Sequence, residues 1–111
     1  MRREAKQLAE LAQLTGVAQD AALSKLRAAI SAREAVEAQI KALDQQRRRA
    51  TPDVSDAVTL TGADLLWQRW AALRRADLNK QLARLRVTEA DARDTAGTAF
   101  GRAQAVRELR K

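Results

Sequence analysis

The sequence predicts an all-α protein in which two long helices form an antiparallel coiled-coil hairpin. Three observations carry this. Aromatic residues make up 3 % of the 111 residues, and there are only four glycines and one proline. With Ala, Leu, Arg and Gln abundant, that is the composition of long helices rather than of a layered core. The single proline, Pro52, stands near the middle. On both sides of it apolar and small residues recur at steps of three and four, the helical period.

The first helix is expected over residues 3–50. Its apolar stripe reads Leu8, Leu11, Ala18, Ala22, Leu26, Ala29, Val36, Ile40, Leu43, with Thr15 and Arg33 at seam positions. Gly16 interrupts it, at a cost of about 1 kcal/mol against Ala in a helix interior. A tip loop is expected over 51–61. Pro52 removes a helical hydrogen bond and clashes with the preceding turn. Asp53, Ser55, Asp56, Thr59 and Thr61 offer the backbone competing side-chain partners. The second helix is expected over 62–109, opened by Thr61 and Asp64 in a capping-box arrangement. Its stripe is Leu78, Leu82, Leu85, Glu89, Ala92, Ala96, Ala99, Ala103, Val106. The steps alternate four and three throughout, a heptad seam with one polar member.

Residues 1–111 thus read as a single hairpin. A turn centred near residue 56 places facing residues at numbers summing to about 112, given equal rise in both helices. Ile30 then faces Leu82, and Leu26 the Leu85 region. Ala18 and Ala22 face Ala92 and Ala96, and Gly16 falls opposite Ala96 and Gly97. Small residues meet small ones there, so Gly16 and Gly97 are expected to permit close approach of the backbones. Gly97 and Gly101 form a GxxxG spacing. Charged neighbours (Arg93, Asp94 and Arg102) favour a soluble helix contact over a membrane dimer.

Trp67 and Trp70 fall where the first helix ends, within reach of Ile40, Leu43, Val54, Val58 and Leu60. A two-helix hairpin has no third layer to hold its turn, and large rings supply apolar area there. Three residues apart, the two rings cannot both point into one seam. Trp70, further into the paired region, is expected to be the deeper, structural ring. Trp67 is then the ring available to a partner.

Catalytic chemistry is not expected. With neither His nor Cys, the usual metal sites, disulfides and thiolate nucleophiles are missing. Ser24, Ser31 and Ser55 have no paired base. Glu34 with Glu37, and Asp91 with Asp94, are accompanied by Arg33, Lys41 and Arg93 and read as surface ion pairs. No phosphate loop and no cofactor site is present. No apolar run approaches the length that spans a bilayer, and "MRREAKQLAELAQL" lacks a signal-peptide core. A cytoplasmic protein, peripheral to membranes at most, is expected.

The net charge of +7 points to an acidic partner. Arg47, Arg48 and Arg49 end the first helix, where cations favour the dipole. Arg69, Arg74 and Arg75 lie near the start of the second. Together with Trp67 they are the candidate partner-binding residues, a basic tip suited to an acidic protein surface. Nucleic acid is the weaker fit, because its readers interleave rings with a basic stripe.

The architecture, with the segment "GADLLWQRWAALRRADLNKQLARLRVTEADA" followed by "AFGRAQAVREL", resembles the FliJ/YscO family. That resemblance implies a non-catalytic, cytoplasmic stalk of the type III export apparatus of flagella or injectisomes. It implies docking on the export ATPase ring and dealings with the export gate and export chaperones, as a monomer or weak dimer. Two other readings fit the same residues: a basic nucleic-acid-binding hairpin, and a scaffold that dimerises into a four-helix bundle.

Overall fold

The computed structural model describes residues 2–50 and 62–111. Among them there are two helices, α1 (Arg2–Ala50) and α2 (Gly62–Leu109), and no strand. They form the antiparallel hairpin that the composition and period predict. No helix among the described residues is long and apolar enough to cross a membrane. Pro52, the tip loop and the Thr61 cap, with Val54, Val58 and Leu60, lie outside the described residues.

The chain divides into two compact units. One is Ala32–Arg86; the other joins Met1–Ser31 to Val87–Lys111. In Ala32–Arg86 the seam is built from Val36 and Leu43 of α1 and Ala71, Leu78 and Leu82 of α2. Ile40, Trp67 and Leu85 pack against it. Leu78 is almost fully buried, and burial of such a side chain stabilises by about 1.5–3 kcal/mol. Polar residues enter this seam as well. Arg75 takes a seam step on α2 and reaches across to Asp44. Its Nε donates to Oδ1 at 2.7 Å and its terminal nitrogen to Oδ2 at 3.1 Å. This two-pronged geometry matches guanidinium to carboxylate.

The other unit has a seam of smaller residues. Ala22 and Ala29 of α1 meet Ala96, Ala103 and Val106 of α2 as its buried apolar members. Glu89 is buried in the same stripe, and Arg93 donates to its Oε2 at 2.8 Å. Small side chains leave shallow grooves, one of about 350 Å3 lined by Ala18, Ala22, Thr98 and Ala99. Phe100, the third ring, stays half-exposed with Arg107 5.9 Å from its centroid. That contact is a cation–π pair one heptad apart.

The α2 stripe agrees with the sequence pattern at every step: each of its nine residues is buried or partly buried. The α1 stripe needs correction at two positions. Leu11 and Ala18 are exposed; Ala12, Thr15 and Gln19 take their turns of the seam. A polar residue suits Thr15 because its hydroxyl donates to the Leu11 carbonyl at 2.9 Å, so no partner across the seam is required.

The expected register is also corrected. Asp44 meets Arg75, where a turn centred near residue 56 placed Gln68. Gly16 lines a groove with Ala103 and Arg107, not with Ala96 and Gly97. Both shifts are about one heptad, which returns the same face of each helix to the seam. Periodicity therefore cannot detect it. The close approach at the glycines fails with the register. Gly97 and Gly101 are exposed. A Cβ built on Gly16, Gly97 or Gly101 meets nothing within 4 Å.

Two outcomes follow from this geometry. Gly16→Ala should raise stability by about 1 kcal/mol, since helix propensity improves and nothing obstructs the methyl group. Chemical denaturation checks it. The Asp44 carboxyl is held below its ordinary value first by the Arg75 hydrogen bond, which outweighs the opposing effect of desolvation, and then by the charges of Arg75, Arg48 and Arg47. A depressed carboxyl contributes fully above the unfolded-state range and loses its contribution as pH falls through the folded-state value. Asp44→Asn should melt below the wild type at neutral pH. The gap should close in acid below the usual carboxylate range, as read from melting curves across pH.

Candidate protein-docking face

The candidate residues Arg47, Arg48, Arg49, Trp67, Arg69, Arg74 and Arg75 all belong to Ala32–Arg86. The fold assigns them different work. Arg75 is committed to Asp44. Arg74 pairs with Asp77 at 3.3 Å, and Gln81 donates to the same Asp77 oxygen at 2.9 Å. Arg47 is partly buried at a seam step; Arg48, Arg49 and Arg69 are exposed. Asp44 lies within electrostatic reach of Arg75, Arg48 and Arg47.

The relative burial of the two tryptophans is the reverse of the expectation. Trp67 packs against the buried cluster and is partly buried, while Trp70 is 53 % exposed. The rings remain neighbours, with centroids 6.5 Å apart and planes tilted by 39°. The physical reason is angular. Trp67 lies four residues before the buried Ala71, on the same side of α2. Trp70 is adjacent to Ala71 in sequence, so it points about 100° away from the seam. Axial depth into the paired region, on which the expectation rested, decides less than position around the helix.

Trp70 is not alone on that side. Leu66 and Leu73 are 68 % and 67 % exposed. Spaced four and three residues from Trp70, they form with it a second apolar stripe on α2, separate from the seam. This exposed stripe is a surface feature that the sequence pattern alone did not single out. Its signal was present as large apolar residues at helical spacing but out of phase with the heptad.

Comparisons with protein-family models, with curated proteins and with solved structures return no match. The function must therefore be read from the geometry of this chain.

The two flanks of the Ala32–Arg86 seam differ. Ion pairs between the helices close one flank: Arg75 with Asp44, and Arg86 with Glu37 at 3.8 Å. On the other lies an open groove of about 250 Å3, walled by Gln39, Ala42 and Gln46 of α1 and by Trp70 and Arg74 of α2. Leu43 and Leu78 form its floor. No carboxylate lines it. The groove thus has an apolar floor, an aromatic wall and one lining cation, Arg74, which is paired with Asp77.

Truncation should separate the two rings. Trp67→Ala should cost about 2 kcal/mol, less than for a fully buried ring because Trp67 is only partly covered. Trp70→Ala should stay within about 0.5 kcal/mol of the wild type, as an exposed position allows. Acrylamide should quench Trp70 more strongly than Trp67 when each is the sole tryptophan.

Proposed function

We propose that this hairpin is a non-catalytic interaction rod of a type III protein export apparatus, flagellar or injectisome, working in the cytoplasm. In this reading the Ala32–Arg86 unit docks on the export ATPase ring, and export chaperones and the export gate are further partners. The observation that carries the docking role is the exposed Leu66, Trp70 and Leu73 stripe bordered by arginines. Exposed tryptophan and arginine are the side chains most enriched where protein interfaces concentrate their binding energy. The hairpin architecture and its resemblance to FliJ-like stalks supply the choice of partner. The arginines on both helices supply steering toward an acidic surface.

The test is reconstitution with a purified type III export ATPase. The expected result is co-sedimentation of hairpin and ATPase, with promotion of ring assembly and of ATP hydrolysis. The Arg48→Ala, Arg49→Ala, Arg69→Ala triple variant should bind about tenfold more weakly. Absence of a complex overturns the reading. So does tight binding to nucleic acid that weakens steeply with added salt, the signature of counterion release from phosphates.

A further inference from the structure

In Ala32–Arg86 the face of α2 turned away from α1 is apolar and cationic at once. Leu65, Leu66, Trp70 and Leu73 are all exposed. Successive residues of a helix turn by about 100°, which puts Leu65, Leu66 and Leu73 roughly 120° or more around α2 from the buried Ala71. None of the three serves the seam. Arg69 stands among them, one turn after Leu65 and one turn before Leu73, so that it neighbours both on the helix surface. Lys80 continues the row two turns beyond Leu73. Arg69 and Lys80 are exposed, and neither forms an ion pair among the described residues.

The charge of this face is one-sided. From Leu65 to Arg86 the sequence has six Arg and Lys and a single acid, Asp77. Arg75 and Arg86 turn to Asp44 and Glu37 of α1. Asp77 is engaged by Arg74 and Gln81. An anionic occupant is therefore selected, and it must also take up leucines that lie at the height of the cations. Nucleic acid offers phosphates but no apolar phase for Leu65, Leu66 and Leu73. A second copy of this chain brings the same cations to the same place and is repelled. A protein would have to fix a carboxylate over Arg69 amid three leucines, on a convex helix face with no recess to hold it. A lipid surface sets no such demand. Leucines enter the acyl boundary, while the long Arg69 and Lys80 side chains reach back to headgroups that move to meet them. Trp70 at the edge of the face has the apolar body and polar handle that suit such a boundary.

We infer that the outer face of α2 formed by Leu65, Leu66, Arg69, Trp70, Leu73 and Lys80 rests on an anionic lipid surface. The helix lies along the headgroups and does not cross the bilayer. The inference goes beyond the export-stalk reading and stands without it.

The probes are vesicles of mixed phosphatidylglycerol and phosphatidylcholine, and vesicles of phosphatidylcholine alone. The wild-type chain should co-sediment with the anionic vesicles and bind the neutral ones about tenfold more weakly or less. In the Trp67→Phe variant the remaining Trp70 emission should shift to the blue on anionic vesicles. Arg69→Ala with Lys80→Ala should weaken binding about tenfold, and Leu66→Ser with Leu73→Ser by a similar factor, each with an unchanged melting curve. Lys25→Ala with Arg27→Ala removes as much charge from the other unit and should bind as the wild type does. The inference is overturned by equal binding to neutral vesicles or by anionic binding that leaves Trp70 emission unmoved. Indifference to the loss of the leucines overturns it too, as does an equal loss in the Lys25 and Arg27 variant, which would make net charge the whole cause. The two proposals fail separately. Vesicle binding without a complex with the export ATPase removes the stalk role and leaves the lipid surface. A complex with the ATPase and no vesicle binding does the reverse.

Discussion

The pairing of Arg75 with Asp44 is the constraint around which the Ala32–Arg86 unit is arranged. A seam of apolar residues at heptad spacing tolerates displacement by a whole heptad, because every displaced residue finds another seam position. Leu78, Leu82 and Val36 would still be covered after such a slip. The carboxylate of Asp44 would not be so well served: it would face Gln68 and lose its two guanidinium hydrogen bonds. Hydrogen bonds between charged groups are directional, whereas apolar burial is not. A modest surface-type interaction therefore discriminates between registers that the larger apolar contribution leaves nearly equal.

The same division between apolar and directional contacts runs through the other unit, with different weights. There the buried positions are mostly alanine, which lowers the apolar area each heptad removes from water. Helix propensity carries more of the load, since Ala is the strongest helix former. Buried polar groups are satisfied rather than avoided. Thr15 bonds back to its own helix, and Glu89 accepts from Arg93. Among the described residues no buried side-chain nitrogen or oxygen lacks a hydrogen-bond partner. In that seam the glycines have no steric duty: Gly16 faces a shallow groove and Gly97 faces solvent.

Ion pairs close one flank of the Ala32–Arg86 seam and leave the other open. In Ala32–Arg86 the charged flank carries Arg75 with Asp44 and Arg86 with Glu37. The opposite flank keeps small and amide side chains, with Trp70 at its border. The described residues form no third layer, so this groove stays open. The division of labour between the two tryptophans follows from it. Trp67 supports the seam, and Trp70 stands exposed at the border of the groove.

The sequence by itself determined the helical class, the hairpin and the seam of α2, because period and composition are local properties of the chain. It also placed Thr15, Arg33 and Glu89 on the buried side, since the heptad count includes polar members. It misplaced Leu11 and Ala18 on α1, where apolar residues beside the seam mimic the period of the seam itself. Register, the environment of Gly16 and Gly97, and the choice between Trp67 and Trp70 were decided by tertiary structure. Each depends on what stands on the opposing helix, and a heptad repeat presents the same pattern to every partner one heptad away. The groove beside Trp70 belongs to that second group. Gln39, Ala42 and Gln46 look unremarkable in α1, as does Arg74 in α2, until the pairing of the helices gathers them with Trp70 around Leu43 and Leu78.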